Sequence, residues 1–203
     1  MKKYIVLWFA FASLILPAVA SSKVNVVVTL PDYGALIRAI GGEHVNLRVL
    51  AHPSEDPHYV DPKPSFIVAL HRADLLVANG LDLEIGWLPN LVVQSRNSML
   101  QVGQLGRLDL GRHVPDLLEV PTGAIDRSMG DVHGQGNPHI NHDPRRMRAI
   151  LPLIAQRLTA LDPANQTYYE TRLALTLQSF DELLTELRTV SYTHLTLPTK
   201  RIV

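Results

Sequence analysis

The chain has 203 residues, 46% of them hydrophobic, with 19 Lys and Arg balanced by 19 Asp and Glu, and it contains no cysteine. Zero net charge without a basic run argues against nucleic acid or an anionic membrane as a partner recognised through charge. Without cysteine there are no disulfide staples, so a packed apolar core has to hold the fold.

The first twenty residues are read as an export signal and not as part of the fold. Lys2 and Lys3 precede an apolar run from Tyr4 to Leu16, and Ala18-Val19-Ala20 follows. This is a charged n-region, an h-region and an A-x-A site, so residues 1–20 are expected to be a signal peptide with Ser21 first in the mature chain. The apolar run is shorter than the ~20 residues a spanning helix needs, and no other segment qualifies. No cysteine follows the signal to carry a lipid anchor. The expectation is a soluble periplasmic protein that does not span the membrane once the signal is cleaved.

Lys23 to Leu30 (KVNVVVTL) is a β-branched run suited to a buried parallel strand. Pro31 to Gly42 has helical spacing and closes on Gly41-Gly42, a stop suited to a left-handed cap. Val45 to Leu50 is a second strand, and Pro64 to Arg72 a short helix with proline in its first turn. ADLLVANG, Ala73 to Gly80, reads as a third strand, and LEIGWLPNLVV, Leu83 to Val93, as a further helix. Strands alternating with helices predict an α/β lobe with a parallel sheet flanked by helices. Ligands of such sheets bind beyond the carboxyl ends of the strands.

Asp143-Pro144 then opens a helix as N-cap and first-turn proline. Met147, Ile150, Leu151, Ile154, Leu158 and Leu161 form its apolar stripe, and Pro152 within it is expected to kink or divide the helix. Asp162-Pro163 repeats the start signal, and Tyr169, Leu173, Phe180, Leu184 and Leu187 carry the helical period on to Arg188. Such a helix reaches roughly 40 Å and needs something further to pack against. Residues 190–203 read unlike what precedes them and resemble a translated sequencing adapter. They are expected to be a non-native tail, and His194 is left out of any site.

Two loops hold five of the nine histidines: Ala51 to Ser65 with His52 and His58, and Met129 to Pro144 with His133, His139 and His142. The first also carries Glu55, Asp56 and Asp61 between four prolines, which fix φ and lower the entropy lost on ordering. Neutral imidazole suits Zn²⁺, and closing a site takes three or four ligands from different segments. Solvation or capping accounts for His44, His52, His71 and His113, and the opening of a helix accounts for His142. His58 and His139 differ, since each follows a proline in a stiff loop ahead of a helix. Spacing alone leaves His133 undecided. GDVHG, Gly130 to Gly134, resembles the first signature of two-metal phosphoesterases. It stands after three strands, and no GDxxDR or GNH[DE] follows, so the reading favours a protein that is not an enzyme.

The segments EDPHYVDPKPSFIVALHRADLLVANGLDLEIGWL and GDVHGQGNPHINHDP resemble the solute-binding proteins of zinc and manganese ABC importers (cluster A-I). Their shared marks are a D-P-H loop after the second strand, here Asp56-Pro57-His58, and an N-P-H-x-x-x-D-P element opening a helix, here Asn137 to Pro144. The resemblance covers nearly all of Val24 to Arg188. It implies two α/β lobes joined by a long helix, with metal in the cleft between them. Residues 21–161 would be the N-terminal metal-binding lobe and 162–189 the start of the interlobe helix, with the second lobe missing. His58 and His139 fall at the ligand positions, with His133 and Glu55 as further candidates for metal contact or for hydrogen bonding to a ligand imidazole. The cargo would be Zn²⁺, alternatively Mn²⁺, handed to an importer permease in the inner membrane. A free periplasmic zinc buffer without an importer is the alternative. Ile140, Asn141 and His142 depart from the aromatic and leucine residues the family often has after N-P-H. Two histidines with water would bind far more weakly than a closed four-ligand site.

Overall fold

The computed structural model describes residues 22–115 and 133–195, the last five as backbone alone. The expected signal peptide, residues 196–203 of the expected tail, and Gly130, Asp131 and Val132 of GDVHG lie outside the described residues.

The sheet begins as its sequence suggests. β1 (Val24–Val28) is buried except at Asn25, and β3 (Leu75–Ala78) is buried throughout, as strands with neighbours on both sides and helices on both faces must be. β2 (Val45–Val49) lies at an edge and alternates between covered and exposed positions. All pairings are parallel, in the order β2-β1-β3-β4, with Val26 opposite both Leu47 and Leu75. β4 (Arg107–Asp109) was not legible, because three residues carry no periodicity. It is a strand only through its ladder with β3, where Val77 pairs with Leu108. The chain leaves β1 for β2 on one side and returns to β3 on the other. The reversal point therefore lies at the carboxyl ends of β1 and β3, beside Thr29 and Asn79.

Helices α1 (Pro31–Gly41), α2 (Pro64–His71) and α3 (Leu88–Ser95) each carry proline in the first turn, where the missing N–H costs nothing. α3 starts later than its apolar pattern suggested, since residues 81–87 form a turn held from elsewhere in the fold. α4 (Pro144–Leu161) is capped by Asp143, whose Oδ1 accepts from the Arg145 N–H at 2.9 Å. Of the expected stripe it buries Met147, Ile150, Leu151, Ile154 and Leu158, with Leu161 half-buried at its end. Pro152 does not divide it: the helix runs unbroken for 18 residues, with Pro152 on the solvent face. After a short turn at Pro163–Asn165, α5 (Gln166–Leu195) continues for 30 residues, passing Val190 without a break. α1, α4 and α5 pack together, and α2 packs on α3. Arg148 clamps Asp181 with two bonds of 2.7 and 2.8 Å, bracing α4 against α5. No helix among the described residues is long and apolar enough to cross a membrane.

The stop at the end of α1 is a glycine device of another kind than the left-handed cap expected. Gly42 has φ 51° and ψ −126°, a conformation outside the left-handed helical region, and its N–H donates to Arg38 O. A Cβ there would collide with the Tyr168 hydroxyl of α5. Gly42→Ala should therefore destabilise the chain by about 1 kcal/mol or more, read as a lower urea midpoint. An unchanged midpoint would mean that the α1–α5 contact yields freely at this turn.

Candidate metal centre

The loop that leaves β2 at its carboxyl end is shaped by short-range bonds. Glu55 Oε2 accepts from the His52 N–H at 2.6 Å, and the Glu55 N–H donates to His52 O at 2.9 Å. Asp56 Oδ1 accepts from the backbone N–H of His58 at 2.9 Å and lies 2.7 Å from its Nδ1. These bonds hold the Asp56 carboxyl below the usual carboxylate range. An ionised carboxylate can only accept, so Nδ1 carries the proton and the lone pair of Nε2 points away from Asp56.

The second loop repeats the device. Asn137 Oδ1 accepts from the His139 N–H at 2.9 Å. In both Asx-Pro-His turns the side chain two residues back satisfies the histidine N–H, and the proline between them fixes φ and offers no competing donor. Ile140, fully buried, anchors the turn that follows, and Asn141 Nδ2 donates to Asp32 Oδ2 in the first turn of α1 at 2.8 Å.

His58, His133 and His139 meet at the carboxyl edge of the sheet. Each is half-buried, and one ring nitrogen from each lies within 4.8 Å of the others. The Nε2 atoms of His58 and His133 are 3.2 Å apart. The ring centroids lie 5.2 Å (His58–His133), 5.4 Å (His58–His139) and 6.1 Å (His133–His139) from one another. A tetrahedral zinc bound at about 2.0–2.1 Å by two imidazoles sets their nitrogens about 3.3 Å apart, so the first pair already stands at metal-chelating separation. The cluster borders an open cleft of about 420 Å³, walled by Asp32, Glu55, Asp56, His139 and His142.

The remaining candidates sit elsewhere. Glu55 lines the cleft but is outside the three-histidine group, its carboxylate being taken by its own loop. His142 closes the turn after His139, their rings 6.1 Å apart. His52 is exposed beside Ser54, His44 lies edge-on to Tyr168, His71 Nδ1 is 2.9 Å from Ser95 O, and His113 is exposed.

Sequence reading missed the support beneath the site. Glu84, buried to 3% exposure, accepts at Oε1 from Thr29 Oγ1 and the Asn79 N–H, each at 2.7 Å, and at Oε2 from the Gly80 N–H at 3.0 Å. Burial pushes its pKa up, against the pull of those three donors. Trp87, also buried, donates its indole N–H to Pro57 O at 2.9 Å, next to His58. The available signal was a pair of carboxylates, Asp82 and Glu84, alternating with apolar residues after Asn79-Gly80.

A family model described as zinc-uptake complex component A, periplasmic, matches residues 26–196. The chain is 28% identical over 159 residues to the manganese ABC transporter substrate-binding lipoprotein scaA of Streptococcus gordonii, covering 76% of this chain and 47% of that protein. The structure resembles a zinc-bound deletion mutant of ZnuA, with TM-score 0.65, 29% identity, and coverage of 82% of this chain and 57% of the other. It shares its fold with the periplasmic zinc binding protein TroA from Treponema pallidum, at TM-score 0.68, 22% identity, and coverage of 85% and 56%. The chain spans about half the length of the curated relatives it matches. The fold matches part of these longer proteins, and the match from Val26 to Thr196 shows that the chain belongs to the zinc-uptake complex component A family, the cluster A-I solute-binding proteins of metal ABC transporters.

Proposed function

We propose that the chain captures a divalent transition metal through His58, His133 and His139, for delivery to the permease of an ABC importer. The observation that carries this reading is the convergence of three imidazoles, two presented by matching Asx-Pro-His turns, beyond the carboxyl ends of parallel strands. Residues 1–20 would export the chain to the periplasm. Residues 21–161 would form the lobe that supplies these ligands, and the helix from residue 162 would lead toward a second lobe.

The donor set favours zinc over manganese. The three clustered donors are nitrogens, which suit zinc, whereas manganese prefers carboxylate, carbonyl and water oxygens. Asp56, the nearest carboxylate, serves as the outer partner that orients His58. Three protein ligands leave a fourth position for water or a further donor, which lets cargo enter and leave. The chain then acts as a carrier and not as an enzyme, in keeping with a family of solute-binding proteins.

Calorimetric titration, with a competing chelator where binding is tight, tests this reading. One zinc per chain is expected, with manganese at least about 100-fold weaker on a nitrogen-only face. Equal affinities, or no zinc binding, would overturn it.

A further inference from the structure

Between the two histidine loops stands the turn from Gly80 to Trp87. It opens with three consecutive residues at positive φ: Gly80 at 73°, Leu81 at 52° and Asp82 at 66°. Glycine adopts this region freely, but leucine and aspartate do so at a cost, and such backbone persists only where its surroundings over-determine it. Here they do. The buried Glu84 carboxylate reaches back to Thr29, Asn79 and Gly80, tying the turn to the ends of β1 and β3. Leu81 and Leu83 are buried beside it.

Two arms leave this turn, one toward each loop. Trp87 holds Pro57 O, and a Cβ on neighbouring Gly86 would come within 3.3 Å of His58 O, so the His58 loop lies directly against the turn. Asp82 Oδ1 accepts from Gln135 Nε2 at 2.7 Å, two residues beyond His133. A single braced turn thus holds both segments whose imidazole nitrogens meet at 3.2 Å.

We propose that the Gly80–Trp87 turn sets the separation of His58 and His133, with Trp87 and Asp82 as positioning residues of the metal site. This rests on the reading of His58, His133 and His139 as metal ligands. The turn acts before metal arrives: it holds two imidazoles from distant parts of the chain at chelating distance, so binding does not have to order them.

The test is Co²⁺ titration of the full chain, read by its visible d–d absorption, together with the melting temperature of the metal-free protein. Trp87→Phe keeps a ring and deletes the indole N–H; Asp82→Ala deletes the Gln135 acceptor on the exposed side of the turn. Each should weaken Co²⁺ binding by about 10-fold, the lower end of what losing an outer partner costs, and alter the d–d band. Asp82→Ala, which also puts alanine at positive φ, should lower the metal-free melting temperature by a few degrees, and Asp82→Asn, which keeps an acceptor oxygen and tolerates that backbone, should restore both affinity and melting temperature. Gln135→Ala should match Asp82→Ala, and the pair together should add nothing further. Wild-type affinity and spectrum in both Trp87→Phe and Asp82→Ala, in a chain where His58→Ala abolishes binding, would overturn the positioning role. A wild-type chain that binds no Co²⁺, or a His58→Ala chain that binds it normally, would instead refute the ligand assignment beneath it.

Discussion

Replacing His58 with alanine is expected to weaken zinc binding by more than about 100-fold, because loss of an outer partner alone costs about 10–100-fold and this change removes a donor. His139→Ala should do the same. Neither ring belongs to the apolar core, so the metal-free melting temperature should stay near that of the parent. Wild-type affinity in either variant would remove that residue from the site. His133→Ala asks a sharper question, since His133 Nε2 stands 3.2 Å from His58 Nε2 and could be either a ligand or the hydrogen-bond partner of one. A loss comparable to that of His58→Ala makes it a ligand. A loss of about 10-fold or less would leave it in the outer layer.

Acidification should release the metal. Each imidazole binds zinc only as the neutral base, so metal and proton compete for the same nitrogen. Once the pH falls below its protonation range, each imidazole ligand costs up to about tenfold in affinity per pH unit. With three such ligands, zinc affinity should fall steeply, by well over tenfold, as the pH drops from about 7 to about 5. Asp56 does not blunt this trend, because the bonds from His58 hold its carboxyl below the usual range and it stays ionised throughout. Chelator competition across this interval measures the effect. Affinity that is flat with pH would contradict an all-imidazole site.

Much of the fold was legible because its devices are local. β1 announces itself through a β-branched run, β2 and β3 through short apolar segments bounded by turn residues, and α1, α2 and α4 through proline in the first turn. His58 and His139 could be singled out because an Asx-Pro-His turn is written in three adjacent residues. β4 was illegible because three residues become a strand only when β3 lies alongside. The delayed start of α3 was hidden for a related reason. Helical spacing from Leu83 onward is overridden by the Glu84 carboxylate, whose acceptor oxygens are committed to Thr29, Asn79 and Gly80. Pro152 misled in the other direction, since on the solvent face of a helix already fixed by its buried stripe it does not end the helix.

The sequence by itself determined the parallel α/β lobe, the capped helices and the two stiff loops that each present a histidine, because periodicity, proline and Asx side chains act within a few residues of themselves. Only the tertiary structure decided that His133 joins His58 and His139, and that one braced turn holds their loops together. His58 and His133 lie 75 residues apart in the chain. Their 3.2 Å separation follows from strand order, a buried carboxylate and an indole hydrogen bond, and no local propensity encodes it.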